Sequence, residues 1–596
     1  MVTVNGRPLT IFNDSGFSKI LRPLTEAIGG GFTINSQNIK NHIFNASNVI
    51  ISNIKNDIKK QLISLKIDSV KRHNRSILGI NIQYIKDGKI SLKTLAMVEL
   101  FDKHTAENLK QSLLDVLTKY EITQEQIYTI TCDNAANMIK MAKIMTVNDI
   151  ENNFIDSSDE VDNDIPDINN EDVEDDDSQK DSDDEYLNDG TSIANEDIEN
   201  ELFFDLFNTD EATIAIQSFE DDVFDAISAS SITSCVRCAV HTLQLCILDG
   251  FKNAPITSCI VQARKVVKKL RTPKYATWLK RKNLKYAIID NETRWNSVYN
   301  MLFRLLELKE FCQTHHNTNT ELKLKKSEWD SIKSIVDALE PVKIATLALQ
   351  KQDINLGDFY GVWLKASHGL QSNGSILAKQ ILKSMKQREV LLLKNPVFLA
   401  AIFLDPRYQC MLNEADKNTG INHLVKTWKF MIQIQDDICE TGDVNNSAIA
   451  STNVDSPNNT TETTDDQDVF ELFLSSQSSA SSHHSGTGIL DDISVKLCNF
   501  KDVNRLHYKT NILTFWETQK HDNFELYKLA TIVLAVPATQ VSVERSFSVL
   551  GTRLYTRFST QNISSIKFIL SDLRTSLSAN LLDAIMIVRS NTKFNK

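Results

Sequence analysis

The pattern of hydrophobic and polar positions predicts a strand-rich segment near the start of the chain. Four stretches enriched in β-branched and other apolar residues predict strands, namely Leu62–Asp68, Ser76–Ile85, Lys93–Leu100 and Ile127–Asp133. Asp87 and Gly88 separate the second and third stretches and are typical of a type I′ hairpin turn. Thr105 can cap a helix over 106–120, whose leucines recur at helical spacing. The predicted order is therefore β-β-β-α-β.

This order has a consequence for two acidic residues. When an antiparallel hairpin leads into a right-handed crossover, the fourth strand lies parallel to the first and beside it. Asp68 ends the first predicted strand and Asp133 ends the fourth, so the two carboxylates are expected to meet. This is a ribonuclease H-like arrangement, in which paired carboxylates hold two divalent cations. The alternative for Asp133 is that it caps the helix that follows it.

The rest of the chain has mostly helical periodicity. Residues 1–60 predict an opening helical region, in which Phe17, Ile20, Leu21 and Leu24 share a helix face before a triple glycine at 29–31. Residues from about 245 to 530 predict helices, of which the clearest are Thr293–Phe311, Trp329–Leu349, Asp358–Leu370 and Ile376–Met385. A stretch rich in Ser, Thr, Asn and Asp, at roughly 438–493, predicts a flexible loop. A further helix is expected to begin near Pro537.

Charge is distributed unevenly along the chain. The net charge is −12, but residues 149–201 hold 23 acidic residues and one lysine, which predicts a disordered acidic tract. The remaining residues include 54 acidic and 64 basic ones, a net of +10 that permits a nucleic-acid partner. No stretch approaches the roughly 18 apolar residues of a membrane span, and no signal peptide follows Met1. Nine irregularly spaced cysteines suit reduced thiols, so a soluble intracellular protein is expected.

Two local patterns suggest further chemistry. Cys235, Cys238 and His241 have the spacing of a zinc half-site, but no second Cys/His pair lies at a usual distance. The alternatives are a helix with Cys238 and His241 on one side, or a histidine close to the paired carboxylates.

A basic cluster follows in the sequence and is either a solvated helix face or a phosphate-tracking surface. It includes Arg264, Lys265, Lys268, Lys269, Arg271, Lys274, Lys280, Arg281 and Lys282.

Six segments, in this order, resemble motifs of the hAT transposase superfamily, particularly members allied with BED zinc-finger proteins. They are Asp68, Cys132–Met138, Cys238–Leu245, Thr293–Ser297, Leu404–Tyr408 and Val543–Ser548. The resemblance implies a ribonuclease H-like domain interrupted by a long helical insertion, with a C-terminal dimerisation region. It implies the domain boundaries 1–60, 61–148, 149–226 (acidic linker), 227–250, 251–515 (insertion) and 516–596.

The resemblance also implies roles for individual residues. Asp68, Asp133 and Glu544 would bind two Mg²⁺ or Mn²⁺ ions for DNA strand cleavage and strand transfer, with no structural zinc. Asp290, Glu292 and Asp405 are competing acids that rank below Glu544. Residues expected to contact DNA are His241, Trp295, Arg264, Lys265, Lys268, Lys269 and Arg294. Trp295 would stack on a base turned out of the duplex, and its alternative is a core tryptophan. Residues expected at a homodimer interface are Phe547, Leu550, Ile566 and Leu570.

Two departures from the family pattern leave alternatives open. The chain shows no N-terminal BED zinc finger, and the tryptophan that usually follows the first acid is absent after Asp68. The first hypothesis is a nuclear DNA-cutting and strand-transfer enzyme. The second is a catalytically inactive descendant that acts as a dimeric module binding DNA or protein. A third, weaker hypothesis is a nuclease acting on RNA–DNA hybrids.

Overall fold

The computed structural model describes twelve parts of the chain: residues 2–5, 7–29, 34–72, 75–133, 135–146, 233–290, 295–315, 319–351, 353–436, 469–477, 492–547 and 577–592. For Glu544, Ser546 and Phe547 it describes the backbone alone. The strands are β1 (Ile63–Arg72), β2 (Arg75–Lys86), β3 (Lys89–Leu100), β4 (Ile127–Cys132) and β5 (Ser234–Arg237).

The helices before the middle of the chain are α1 (Val2–Asn5), α2 (Ser15–Ile28), α3 (Ser36–Ile58), α4 (Ala106–Lys119), α5 (Ala136–Thr146), α6 (Ala239–Phe251), α7 (Ala254–Leu270), α8 (Pro273–Arg281), α9 (Trp295–Glu307) and α10 (Lys309–His315). Those that follow are α11 (Lys326–Leu349), α12 (Leu356–Asn373), α13 (Ile376–Leu392), α14 (Pro396–Phe403), α15 (Glu414–Asp436), α16 (Val469–Gln477), α17 (Asp492–Asn499), α18 (Ile512–Thr518), α19 (Phe524–Val533), α20 (Val541–Phe547) and α21 (Ala579–Asn591).

The five strands form one mixed sheet in the order β3-β2-β1-β4-β5. β1, β2 and β3 are antiparallel neighbours, whereas β4 runs parallel to both β1 and β5. The β2–β3 turn has positive φ angles at Asp87 (52°) and Gly88 (66°), as a type I′ turn requires. Thr105 caps α4 by accepting a hydrogen bond from the Asn108 amide. The predicted β-β-β-α-β order and the parallel placement of β4 beside β1 are therefore confirmed.

The two faces of the sheet differ in polarity. One face carries buried apolar side chains that form a core with α4, α5 and the end of α3, among them Leu65, Ile67, Ile80 and Ile130. The other face carries buried polar side chains, among them Ser64, Lys66, Asn81, Gln83 and Thr131. Because side chains alternate along a strand, these polar residues share one face of the sheet, and their burial makes it a polar layer inside the protein.

The outer edge of the sheet at β3 is covered by α21. The side-chain amide of Asn591 accepts a hydrogen bond from the Thr94 amide (3.0 Å) and donates one to the Thr94 carbonyl (2.8 Å). The Asp583 carboxylate accepts a hydrogen bond from the Met97 amide (2.9 Å). These side chains satisfy backbone groups that an edge strand otherwise leaves open to pairing with another chain.

Helices α6 to α19 share a large hydrophobic core with the β4–β5 side of the sheet. Tyr128 of β4 joins the two parts directly, because its hydroxyl lies 2.9 Å from Nε2 of His423 on α15. Tyr128 is fully buried and His423 is half-buried, and burial raises the pKa of Tyr128 and lowers that of His423 to about 4. The contact is therefore made by a neutral imidazole at neutral pH.

This histidine predicts a loss of stability in acid. The folded-state pKa of His423 lies below its ordinary value of 6.5, so the unfolded chain takes up the proton first. The free energy of unfolding is expected to fall as the pH drops from about 6.5 towards 4. In His423→Phe, the difference between the denaturation midpoints at pH 7 and pH 4.5 should shrink relative to the parent protein. An unchanged difference would assign the acid sensitivity to other groups.

Several element boundaries differ from prediction. β1 continues four residues past Asp68, so this acid lies inside the strand and not at its end. The helix expected near Pro537 begins at Val541, because Pro537 pairs with Asn355 in an isolated bridge. The stretch predicted as a flexible loop contains α16, which buries Phe470 and Leu474.

The helices predicted from 293 to 385 are present as α9 to α13, and Gly29 ends α2 with a φ of 72°. The acidic tract lies outside the described residues. No described helix is both long enough and apolar enough to cross a membrane.

Candidate active site

The parallel pairing of β1 with β4 brings the two predicted acids to the same level of the sheet. Lys66 on β1 is opposite Thr131 on β4, and Asp68 and Asp133 follow these partners by two residues each. Asp133 comes directly after the last residue of β4. Because side chains alternate along a strand, Asp68 lies on the same face of the sheet as Lys66. The predicted proximity of Asp68 and Asp133 is thus matched by the backbone register.

The Asp68 side chain is largely enclosed. Its residue is 7% exposed, and its Oδ1 accepts a hydrogen bond from the Ser69 amide at 2.9 Å. Across the antiparallel ladder it is opposite Gly79 on β2, which has no side chain to crowd the carboxylate. The neighbouring strand therefore places no side chain directly opposite this acid.

Asp133 serves the start of the following helix with one oxygen. Its Oδ1 accepts a hydrogen bond from the Ala135 amide at 3.1 Å, immediately before α5 begins at Ala136. Burial raises the pKa of the Asp133 carboxyl, and the Ala135 hydrogen bond opposes that shift. A local capping interaction is therefore present, and it involves only Oδ1 in the described part of the chain.

The segment 535–542 covers the polar face of the sheet. The Gln83 side chain donates to the Ala535 carbonyl (2.9 Å), and the Thr131 hydroxyl donates to the Pro537 carbonyl (2.9 Å). The Asn81 side chain donates to the Ser542 hydroxyl (3.3 Å). Two strands, β2 and β4, therefore fix this segment through buried polar contacts between residues more than 400 positions apart.

Helix α20 begins within this segment and carries Glu544. It packs on β1 and β2, and Val541 and Val543 on either side of Ser542 are fully buried. The Glu544 backbone consequently lies over the two strands that include Asp68 and its antiparallel partner. The direction of the Glu544 side chain is outside the described part of the structure.

Lys66 is a residue of this layer that the motifs do not indicate. It is fully buried, and its ammonium has no hydrogen-bond partner among the described residues. Burial lowers the pKa of Lys66 to about 7, with Arg545 acting in the same direction and Cys238 and Asp353 opposing it. The alternation of Ser64, Lys66 and Asp68 is the sequence signal that could have placed this lysine on the polar face.

His241 lies one turn into α6, close to the end of β4. The Cys238 amide donates to the Cys132 carbonyl (3.1 Å), and the Ala239 amide donates to the Ala538 carbonyl (2.9 Å). The start of α6 is thus attached both to β4 and to the segment that precedes α20. Burial lowers the pKa of His241 to about 4, so its imidazole is neutral at pH 7. A neutral imidazole can donate or accept a hydrogen bond but does not attract a phosphate by charge.

Trp295 begins α9 and is only 4% exposed, within the core shared by the helices. Its ring has no free face for a nucleic-acid base in this conformation, which is the core arrangement that the sequence left open. Arg294, which precedes it, lies outside the described residues.

The basic cluster divides into one structural arginine and an exposed surface. Arg264 donates two hydrogen bonds to Asp290, at 2.8 and 2.6 Å, and the Asp290 side chain is fully buried. The guanidinium of Arg264 is therefore directed at Asp290 and not at solvent, which removes it from the predicted DNA-contacting set. Lys265, Lys268 and Lys269 are exposed on one side of α7.

The exposed basic surface extends from α7 through α8. No acidic residue occurs between Asp249 and Asp290 in the sequence, so this surface has no counter-charge of its own in that stretch. Lys274 lies over the rings of Tyr275 and Trp278, with its ammonium 4.9 and 5.4 Å from their centroids. Such a surface can follow a polyanion backbone.

The competing acids have structural partners where the structure describes them. Asp405 is fully buried and accepts hydrogen bonds from the Arg407 guanidinium, while Asp290 pairs with Arg264. Glu292 is outside the described residues. Asp290 and Asp405 thus serve in ion pairs that hold helices together.

The oxygen ligands offered by Asp68 and Asp133 suit a hard divalent cation. Carboxylate oxygens are the ligands that Mg²⁺ and Mn²⁺ prefer. Asp68 has a glycine, Gly79, as its pairing partner on β2, and Asp133 has an oxygen beyond the one used at α5. Among the residues described with side chains, no three His, Cys, Asp or Glu come together as a metal-binding group. A third ligand would have to come from a side chain outside that set, such as Glu544.

Of the four residues expected at the dimer interface, the structure describes only the backbone of Phe547. Phe547 ends α20 with its backbone described, and Leu550, Ile566 and Leu570 lie outside the described residues. Their role at an interface remains a prediction.

Comparison with known protein families yields three matches in separate parts of the chain. Residues 17–143 match the ZMYM1/FAM200 RNase-like domain, which covers α2 to α5 with four of the strands. Residues 236–338 match the ZBED1 RNase-like helical domain, and residues 496–571 match the hAT family C-terminal dimerisation region. The search of curated proteins found no match to this chain. The three matches, in this order in one chain, identify it as an hAT-family protein.

Proposed function

We propose that this protein is an hAT-type DNA transposase, in which Asp68, Asp133 and Glu544 hold two Mg²⁺ or Mn²⁺ ions. The observation that carries the proposal is the register of β1 against β4, which sets Asp68 and Asp133 level on adjacent parallel strands beneath the helix carrying Glu544. The bound ions would polarise the scissile phosphate and activate the attacking oxygen.

The protein's own residues have distinct parts in this function. Asp68 and Asp133 supply negative charge from strands that are fixed on both sides, which holds them in place without substrate. Helix α20 closes the polar face and brings the third acid from a remote part of the sequence. The neutral His241 would offer a hydrogen bond near the scissile strand. The helical part of the chain would form the insertion of the ribonuclease H-like domain.

Binding of DNA is proposed for the exposed lysines of α7, with α8 extending the surface. Trp295 and Arg264 are left out of this surface because the first is buried and the second is paired with Asp290. The match to the hAT dimerisation region supports a homo-oligomer, which would present two such surfaces to the two ends of an element. A nuclear location follows from this function as part of the proposal.

A cleavage assay tests the chemistry. The full chain is incubated with duplex DNA carrying the ends of its element, in Mg²⁺, Mn²⁺ or EDTA, and the products are resolved on a denaturing gel. Metal-dependent nicks and hairpins on the flanking DNA are expected. If the protein binds this DNA but yields no product in either metal, the alternative of a catalytically inactive binding module replaces the proposal.

A triple substitution tests the DNA surface. Lys265→Gln, Lys268→Gln and Lys269→Gln together should weaken binding to duplex DNA and lower the slope of log K against log [salt] by roughly 3, because each lost phosphate contact removes about one released counterion. The measurement is fluorescence anisotropy across a salt series.

Lys379, Lys383 and Lys386 on α13 provide the matched control, since all three are exposed lysines on one helix. Their glutamine variants should keep the salt slope of the parent protein. Equal losses from the two triple variants would show that only net charge matters and would remove α7 as the DNA surface.

A further inference from the structure

Helix α2 carries an apolar stripe that the rest of the described chain does not cover. Ile20, Leu24 and Ile28 are 75%, 55% and 57% exposed, and they recur every four residues on one helix face. No residue of α2 is buried. These three side chains, called the α2 stripe below, therefore present a continuous apolar surface about two turns long.

The beginning of the helix is packed on the protein body. Asp14 caps it by accepting a hydrogen bond from the Phe17 amide (2.8 Å), and the Phe17 ring meets Phe12 edge-on with centroids 5.7 Å apart. Phe17 packs against a hydrophobic cluster of the protein body, whereas the side chains of the α2 stripe belong to none of the described clusters. The start of α2 is therefore packed in this cluster, whereas the side chains of the α2 stripe are not.

The base of α2 adjoins the family's dimerisation region. The cluster that holds Phe12 and Phe17 also contains Val543 of α20, together with Leu582 and Ile585 of α21. Val543 lies within residues 496–571, the match to the hAT C-terminal dimerisation region. A second copy that binds near the Val543 end of this region would therefore be close to the start of α2.

Charge and composition favour a protein partner for the stripe. Residues 15–28 contain two basic side chains and one acidic side chain, Lys19, Arg22 and Glu26. Helices that lie on anionic membranes carry a strongly basic polar face, which α2 lacks. Among the described helices, only α2 exposes three large apolar side chains, so its best apolar match on a second copy is the same stripe.

We propose that the α2 stripe packs against the α2 stripe of a second copy of this chain. The contact is isologous, as expected for a two-fold dimer, and it extends the C-terminal dimerisation region with an N-terminal element. It is independent of the proposed DNA chemistry, because none of its residues belongs to the acid site or to the basic surface.

Sedimentation equilibrium of the full chain tests the contact. The double variant Ile20→Asp/Leu24→Asp should raise the dimer dissociation constant at least tenfold, because it places charges in an apolar interface. Both positions are exposed, so the variant should retain the far-ultraviolet circular dichroism of the parent protein. The matched control is Lys19→Asp/Ser18→Asp on the polar side of the same helix, which should leave the constant within about twofold.

A second measurement reports which side of α2 faces the second copy. Leu24→Cys lies at the centre of the stripe and should form an intersubunit disulfide under mild oxidation, visible as a dimer on a non-reducing denaturing gel. Arg22→Cys, on the opposite side of α2, should cross-link much less. The proposal is overturned if the aspartate variants keep the parent dissociation constant, or if the two cysteine variants cross-link equally. Binding of the stripe within one chain would produce the first of these results.

Discussion

Replacing Asp133 with asparagine is expected to lower the rate of metal-dependent DNA cleavage by at least about 10³-fold. The amide is nearly the same size as the carboxyl and keeps an oxygen that can accept the Ala135 hydrogen bond at the start of α5. It lacks the negative charge that a divalent cation needs. Metal ions contribute several kcal/mol to such reactions, and each ~1.4 kcal/mol corresponds to a factor of ten in rate.

The measurement is the single-turnover rate of strand cleavage at saturating protein, with Asp102→Asn as the control. Asp102 is an exposed acid just beyond the C-terminal end of β3, at the end of the sheet where β1 and β4 also finish. Its substitution should change the rate less than about twofold. Binding of DNA should survive in both variants. Cleavage by Asp133→Asn at the parent rate would leave the capping of α5 as the function of this aspartate.

The second large effect is expected at Arg407, which joins three distant segments. Its guanidinium donates hydrogen bonds to both oxygens of Asp405 at 2.9 and 2.7 Å, to Asp358 of α12 at 2.9 Å, and to the Thr510 carbonyl at 3.1 Å. Arg407→Met should lower the free energy of unfolding by about 3–5 kcal/mol, because a fully buried Asp405 carboxylate would lose its counter-charge.

Chemical denaturation of the parent and the variant measures this effect. The double variant Arg407→Met/Asp405→Asn should be less destabilised than Arg407→Met alone, because it removes the unpaired charge as well. Lys55→Met is the surface control: Lys55 pairs with Glu121, whose side chain is 77% exposed, so a loss below about 1 kcal/mol is expected. If Arg407→Met costs no more than Lys55→Met, the buried network adds little to stability.

The same network shows why an acid in a family-like motif need not be catalytic. Asp405 lies in the motif Leu404–Tyr408, and the sequence alone makes it a candidate metal-binding acid. In the folded chain Asp405 is packed so closely against α12 that a Cβ added to Gly357 would lie 2.1 Å from its Oδ2. The aspartate is fully buried, and through Arg407 it is connected to Asp358 of α12.

Asp290 and Arg264 form a second case of this kind. The sequence shows an acid near the Arg-Trp motif and an arginine in a basic cluster, 26 positions apart. Taken separately, Asp290 is a candidate metal ligand and Arg264 a candidate DNA contact. The fold joins them in a two-bond ion pair, so neither is available to a metal or to DNA. Only the packing of α7 beside the segment before α9 determines that they meet.

The sequence alone determined the order of the first four strands, the hairpin turn and the two aspartates on adjacent parallel strands. These features depend on local periods, turn chemistry and the handedness of a short crossover, all of which are encoded within about 70 residues. The tertiary structure decided where remote segments bind. It put the 535–542 segment over the polar face, buried Lys66 and Trp295, and left the α2 stripe uncovered by the other described residues. A periodic pattern shows that a face will be buried or polar, but the partner of that face comes from residues hundreds of positions away.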